Sequence, residues 1–174
     1  MKYLVKFFVV TFFLIISTHA FAEQKIVVLD MKFVLNNSKA GKGAQDFLKK
    51  TFNDNAKKFT DLERALKNEE SDLLSKKTIL SKEEYTKKSD SLRKKVIDYQ
   101  SQRRSALDKI ATQRVKSREA LIKKIEPIVD AYIKENNISI VMDKKTMIGG
   151  LTEYDITNII IKRLNKELPS LKLQ

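Results

Sequence analysis

The stretch from Ala44 to Glu126 contains no glycine, proline or cysteine and is dense in charged and polar residues. Short strands need the turn-forming residues that this stretch lacks, so it does not have the pattern of a compact β domain. Its apolar residues recur every three or four positions, which is the spacing of a helix with a narrow apolar face. We therefore predict long helices that extend into solvent as arms.

The first 22 residues have the pattern of a secretory signal peptide. Two lysines precede an apolar stretch at positions 7–16, and the sequence Ala-Phe-Ala at 20–22 is a cleavage site. The apolar stretch is shorter than the roughly 20 residues that a membrane-spanning helix needs. We predict export and cleavage after Ala22 in preference to a membrane anchor, with a soluble mature chain that begins at Glu23.

The mature chain lacks the side chains on which most enzyme mechanisms depend. The single histidine, His19, lies in the signal peptide, and the sequence has no cysteine. Imidazole bases, thiol nucleophiles and His or Cys metal ligands are therefore excluded. Carboxylates remain, but acid–base catalysis needs two of them in one pocket, and here they are spread along helix faces. We predict a protein that is not an enzyme, with no catalytic residue, metal or cofactor.

Two apolar seams with heptad spacing indicate two helical arms. The first seam consists of Leu48, Phe52, Asn55, Phe59, Leu62, Leu66, Glu69 and Leu73. The second consists of Leu92, Val96, Tyr99, Arg103, Ala106, Ile110 and Gln113.

Between the arms, Ser81 and Glu84 form a capping box that predicts a helix start. A hairpin lets the second arm cover the first seam, and we favour it. One continuous helix is the alternative, because neither glycine nor proline marks the turn. Pro127 predicts a kink or restart near Glu126 at the base of the second arm.

The two ends of the mature chain have the composition of a small body. Residues 25–30 and 138–143 are β-branched stretches that predict strands, 146–148 predicts a third short strand, and 156–164 a final helix. This body, residues 23–43 and 130–174, flanks arms at 44–129. At about 65 residues it is small for a core of its own, and two or three strands do not make a buried sheet. We predict a homo-oligomer, whose body residues are Ile26, Val27, Val28, Leu29, Ile138, Ile140, Val141 and Met142.

The order of these elements resembles the Skp/OmpH family of periplasmic chaperones across essentially the whole mature chain. The matching features are Ile26-Val27-Val28-Leu29-Asp30 with Phe33-Val34-Leu35, the basic hairpin, and Ile138 to Asp143 followed by Asp155-Ile156-Thr157. The resemblance implies an α+β fold with long coiled-coil-like arms on a small β-barrel body formed by oligomerisation, as a trimer. It also implies a periplasmic protein that holds unfolded outer-membrane β-barrel proteins between its arms without ATP.

The positive charge is concentrated in the second arm. Residues 46–77 carry 8 basic and 7 acidic residues, a net charge of +1, whereas residues 82–124 carry 14 and 6, a net charge of +8. This asymmetry predicts attraction to acidic clients and to anionic lipid or lipopolysaccharide. The predicted client contacts are Phe47, Leu74, Tyr85, Arg93, Lys94, Lys95, Arg103 and Arg104.

Two other classes of function fit parts of the pattern. A structural coiled-coil scaffold of the envelope needs a regular seam, but polar residues such as Asn55 and Arg103 interrupt both seams and favour arms that can splay. A basic binder of lipopolysaccharide or nucleic acid is the second alternative. No helix-turn-helix, zinc or RNA-stacking signature is present, so we predict no specific nucleic-acid partner.

Overall fold

A computed structural model describes residues 24–173; the predicted signal peptide lies outside them. In chain order the elements are β1 (Ile26–Leu29), α1 (Met31–Asn37), α2 (Lys39–Ser75), α3 (Lys82–Glu135), β2 (Ile140–Asp143) and α4 (Thr157–Glu167). None of the helices among these residues is long and apolar enough to cross a bilayer.

The long helices α2 and α3 form a hairpin, so the alternative of one continuous helix is wrong. The predicted capping box closes the turn: the Glu84 amide donates to Ser81 Oγ at 3.3 Å, and the Ser81 amide donates to Glu84 Oε2 at 3.1 Å. The Ser81 hydroxyl also donates to Glu84 Oε2, at 2.7 Å, and this bond together with the one from the Ser81 amide lowers the pKa of Glu84. The local sequence at 81–84 therefore fixes where the second arm begins.

Helix α2 begins earlier than predicted, at Lys39, and includes the two glycines that the sequence placed in a loop. Its first turn has two caps. The Gly41 amide donates to Ser38 Oγ at 3.1 Å, and the Lys39 amide donates to Asn165 Oδ1 of α4 at 2.6 Å. The second cap comes from a residue far away in sequence, which is why local patterns missed it.

Helix α3 runs through Pro127 without interruption, so the predicted restart near Glu126 is wrong, whereas a kink there stays a prediction. Proline removes one hydrogen bond from a helix interior and disfavours helix at the preceding residue. Here Ile125 and Ile128, on either side of it, are buried in the core of the body. Packing of these neighbours holds the helix where local preference would end it.

Strands β1 and β2 pair in parallel, with Ile26 opposite Ile140 and Val28 opposite Met142. The third strand predicted at 146–148 is absent; a 3₁₀ turn at Lys144–Thr146 follows β2 instead. Asp143 stabilises this turn, since its Oδ1 accepts from the Lys145 amide at 3.0 Å and its carbonyl from Thr146 Oγ1 at 2.8 Å.

The hydrophobic core lies in the body, where the base of α3 meets β1, α1 and α4. Its buried residues are Val27, Leu29, Val34, Ala40, Leu121, Ile125, Ile128, Ile138, Ile156, Ile160 and Leu164. The strand pair and helical hairpin agree with the α+β prediction. The structure describes a single chain, so the barrel formed by several chains stays a prediction.

Candidate functional site

The two arms pack along the predicted seams. Phe59 and Leu73 of α2 and Leu92 and Ile110 of α3 are buried on these seams, whereas most other residues of α2 between 59 and 73 and of α3 between 92 and 110 are exposed. The rings of Phe59 and Tyr99 meet edge to face, with centroids 6.0 Å apart and planes inclined by 72°. This geometry is favoured for aromatic pairs, and it joins the two arms near their middle.

Polar contacts also link the arms. Lys95 Nζ of α3 lies 2.6 Å from Glu69 Oε1 of α2, and the Tyr99 hydroxyl donates to Glu63 Oε2 at 3.3 Å. The pKa of Glu63 is lowered, first by the hydrogen bond from Lys67 on its own helix. From the sequence alone, Glu69 is a polar interruption of the first seam. In the structure it forms an ion pair with Lys95 across the hairpin.

The seam opens into a groove of about 160 Å³ near the middle of the arms. We call it the mid-arm groove. The large side chains that line it are Phe52, Phe59, Glu63, Tyr99, Arg103 and Leu107. Asn55, Ala56, Thr60 and Ala106 complete its walls. The groove forms because the alanines are small and because Asn55 and Arg103 replace the apolar residues that would close a regular seam.

Helix α3 carries exposed apolar side chains on its side away from α2. Ile97 is 57% exposed and Val115 is 56% exposed. They are 18 residues apart, which is five helical turns, so they project in the same direction. Arg93 and Arg104 share this side of the helix, which we call the outer face of α3. The outer face thus combines apolar contacts with positive charge.

The apolar residues predicted to contact clients do not form one site. Phe47 lies near the base of α2, whereas Leu74 lies at its tip, 27 residues or about 40 Å further along. Tyr85 is half-buried at the tip, in the first turns of α3. Contact of these three residues with clients stays a prediction, and it requires a ligand that extends along the whole arm.

The five predicted cations have different surroundings. Arg93 pairs with Asp90 on its own helix at 3.2 Å, and Lys95 is held by Glu69. Arg103 lines the mid-arm groove, whereas Lys94 and Arg104 are exposed. Sequence reasoning missed Ile97 and Leu107. Each of them directly follows a seam position in the sequence. An apolar residue at such a position lies beside the seam and is exposed, and this is the signal that could have identified both.

The body exposes one face of its strand pair. Val27, Leu29 and Val141 face the core, whereas Ile140, 47% exposed, shares the opposite face with Ile26 and Met142, which are also exposed. Of the eight predicted body residues, Val27, Val28, Leu29 and Ile138 are therefore buried within one chain. Ile26, Ile140 and Met142 form an apolar sheet face that remains available for contact.

A family model described as "Outer membrane protein (OmpH-like)" matches residues 25–164. The chain belongs to this family. The match covers β1, both arms, β2 and most of α4, so it includes all the structural elements that the sequence used for the resemblance.

Two relatives agree with membership of the OmpH-like family. A "Skp-like protein" of Pseudomonas aeruginosa is 26% identical over 166 residues, which are 95% of this chain and 99% of that protein. A crystal structure of a protein described as an outer membrane chaperone (OmpH-like) from Caulobacter crescentus CB15 superposes with a TM-score of 0.81. The superposition covers 91% of this chain and 94% of the Caulobacter protein, and the two sequences are 18% identical. This similarity supports the fold.

Proposed function

We propose that this chain is an ATP-independent holdase chaperone of the periplasm, which binds unfolded outer-membrane β-barrel proteins in a cavity between the helical arms of several subunits. The observation that carries the proposal is the outer face of α3, where Ile97 and Val115 are exposed among arginines and lysines. Isolated exposed apolar side chains are common on protein surfaces, but here two of them share one helix face with cations and offer weak contacts at separate points along the arm. An unfolded barrel protein offers apolar strands along its length, and it matches this arrangement of weak, repeated contacts.

The test is light scattering after dilution of a urea-denatured outer-membrane barrel protein into buffer with the mature chain. We expect suppressed aggregation, equally with and without ATP, because the sequence has no G-x-x-x-x-G-K-[ST] phosphate loop. The double variant Ile97→Ser/Val115→Ser should suppress less. The variant Ala65→Ser, an exposed position of α2, is the matched control. A strict requirement for ATP would contradict the proposal.

We also propose that the working form is a trimer joined through the body. The exposed sheet face of Ile26, Ile140 and Met142 supports this, because two strands with an apolar face in water are marginal by themselves. Sedimentation of the mature chain should give three copies. Ile140→Asp should dissociate them, whereas replacing 57–104 by a short glycine turn should shorten the arms and leave the oligomer intact. A monomeric shortened protein would overturn this proposal.

Binding to anionic lipid or lipopolysaccharide is a second candidate, supported by the net charge of +8 over residues 82–124. Each cation near an anionic surface contributes about 1 kcal/mol. Co-sedimentation with phosphatidylglycerol vesicles should be seen at low salt and lost at high salt. Equal binding to neutral phosphatidylcholine vesicles would exclude this electrostatic mode.

A further inference from the structure

The mid-arm groove is an opening in the packing between two helices that pack closely on both sides of it. Toward the tip the arms are joined by the ion pair of Lys95 and Glu69. Toward the base, Ile110 is buried between them. The groove therefore has fixed walls on two rigid helices, which is the arrangement that positions a binding site most accurately.

The size of the mid-arm groove selects a small occupant. Its volume of about 160 Å³ is close to the roughly 150 Å³ of an apolar protein cavity that accepts benzene. Pockets for larger small-molecule ligands begin at about 300 Å³. One aromatic side chain fits the space, whereas a nucleotide or a folded element does not.

The walls of the groove suit an aromatic ring. Phe52 and Leu107 stand at its two sides and are 49% and 48% exposed. The edge-to-face pair of Phe59 and Tyr99 adds aromatic surface to its lining. An incoming ring would cover the exposed parts of these side chains and contact aromatic groups at favourable angles.

The charge at the groove favours a ligand with a carboxylate. Glu63 is the acidic residue in the lining, and it already accepts hydrogen bonds from Lys67 and Tyr99. Within residues 24–173, Arg103 has no carboxylate within 4.0 Å. Arg103 attracts Glu63 electrostatically and so contributes to the lowered pKa of that carboxyl, but as the smallest of the causes. Its guanidinium can therefore also pair with a carboxylate on the ligand, for which its planar geometry is suited.

We propose that the mid-arm groove binds one aromatic side chain of an unfolded polypeptide and prefers aromatic residues that stand next to an aspartate or glutamate. The inference rests on the proposed holdase function and adds a defined site to it. Each hairpin then holds a client at one specific point, in addition to the diffuse contacts along the outer face of α3. Capture at this point favours segments of a particular composition over unfolded chain in general.

The test uses the dipeptide acetyl-Asp-(4-fluorophenylalanine)-amide, titrated with the mature protein and followed by ¹⁹F NMR. Ala56→Phe fills the groove and should weaken binding about tenfold, as expected when burial of a phenyl ring is prevented. Ala65→Phe is the matched control. It lies nine residues further on α2, on the opposite side of the helix, and should bind the dipeptide as the unmodified protein does.

A charge-reversed probe tests the role of Arg103. The unmodified protein should prefer the Asp dipeptide over acetyl-Lys-(4-fluorophenylalanine)-amide by about two- to fivefold, the effect of an exposed ion pair. Arg103→Glu should reverse that preference. Equal binding of both dipeptides by both proteins would overturn the acidic preference.

The variant Leu107→Ala removes part of the groove wall without filling the groove. It therefore still tests binding at the groove if the Ala56→Phe protein does not fold. It should weaken binding about threefold, a fraction of the effect of burying a leucine. Fluorine shifts that are unchanged by both groove variants would overturn the site. Such a result, with aggregation of barrel proteins still suppressed, would leave the proposed function intact. If the protein binds the dipeptide but fails to suppress aggregation, the groove site is supported and the proposed chaperone function is wrong.

Discussion

Lys95 Nζ lies 2.6 Å from Glu69 Oε1 and 2.9 Å from Glu69 Oε2, and this ion pair joins the two arms. The sequence predicts that Lys95 contacts clients together with Arg93 and Lys94, and that Glu69 is a polar interruption of the first seam. The structure gives these two residues a common role. Lys95 contributes to the contact between the two arms, so it is less available to clients than the exposed Lys94.

The first prediction concerns this ion pair. Both side chains are about half exposed, so a double-mutant cycle with Lys95→Met and Glu69→Gln should give a coupling of about 0.2–1 kcal/mol. The coupling should decrease as salt rises. Urea unfolding followed by circular dichroism measures it. The pair Arg93–Asp90, which lies within α3, is the reference for an ion pair that does not join the arms. A coupling of zero at low salt would contradict the role of Lys95.

The second prediction concerns long-range capture of clients. Reversing Arg93, Lys94 and Arg104 to Glu changes residues 82–124 from +8 to +2 and leaves Lys95 in place. Stopped-flow association with an acidic unfolded barrel protein should become slower at low salt. The rates should converge near 1 M salt, where the screening length is about 3 Å.

The matched control reverses three lysines of α2, at positions 49, 50 and 57, and therefore changes the total charge equally. We expect a smaller effect on the association rate from this variant. Equal slowing by both variants would mean that total charge, and not the charge of α3, drives capture. Rates that coincide with the unmodified protein at every salt concentration would remove electrostatics from the mechanism.

The third prediction compares two glycines in the first turns of α2. A Cβ on Gly41 would overlap the carbonyl oxygen of Leu35, whereas a Cβ on Gly43 would meet nothing within 4 Å. Gly41→Ala should lower the free energy of unfolding by about 1–3 kcal/mol, because the tightly packed turn from α1 must shift. Gly43→Ala should raise it by about 0.8–1 kcal/mol through helix propensity. Urea unfolding distinguishes them, and equal effects would contradict the close contact of α1 with α2.

The fourth prediction concerns pH. Burial raises the pKa of Asp155, but hydrogen bonds from Lys144 Nζ at 2.6 Å and the Thr157 amide at 2.9 Å outweigh it, so the pKa lies below its ordinary value. A lowered pKa stabilises the fold above the unfolded-state pKa of about 3.9, and this stabilisation is lost as the pH falls through the folded-state value. Asp155→Asn should therefore reduce stability at pH 7 and much less near pH 3. The exposed Asp98→Asn is the control, and a penalty independent of pH would refute the account.

The helical hairpin follows from local sequence, and so does most of its geometry. The absence of glycine and proline between 44 and 126, the heptad spacing and the box at Ser81 and Glu84 are all local signals, and the structure agrees with each. They were sufficient because a long two-helix hairpin has one repeated contact along its seam.

Two of the errors occurred where distant residues decide local structure. Asn165 caps α2 at Lys39, and the core around Ile125 carries α3 past Pro127. Neither effect is visible in a window of ten residues. The mid-arm groove was missed for a related reason: Arg103 was recognised as a seam irregularity, but its surroundings depend on which residues of α2 lie opposite.

The most direct test of the account is sedimentation of a denatured outer-membrane barrel protein after dilution from urea with the mature chain. The account predicts a soluble complex in which the barrel protein sediments together with several copies of the chain, without nucleotide. Filling the mid-arm groove by Ala56→Phe should leave the complex in place and make it dissociate faster. If the barrel protein pellets to the same extent with and without the chain, the proposed chaperone function is wrong.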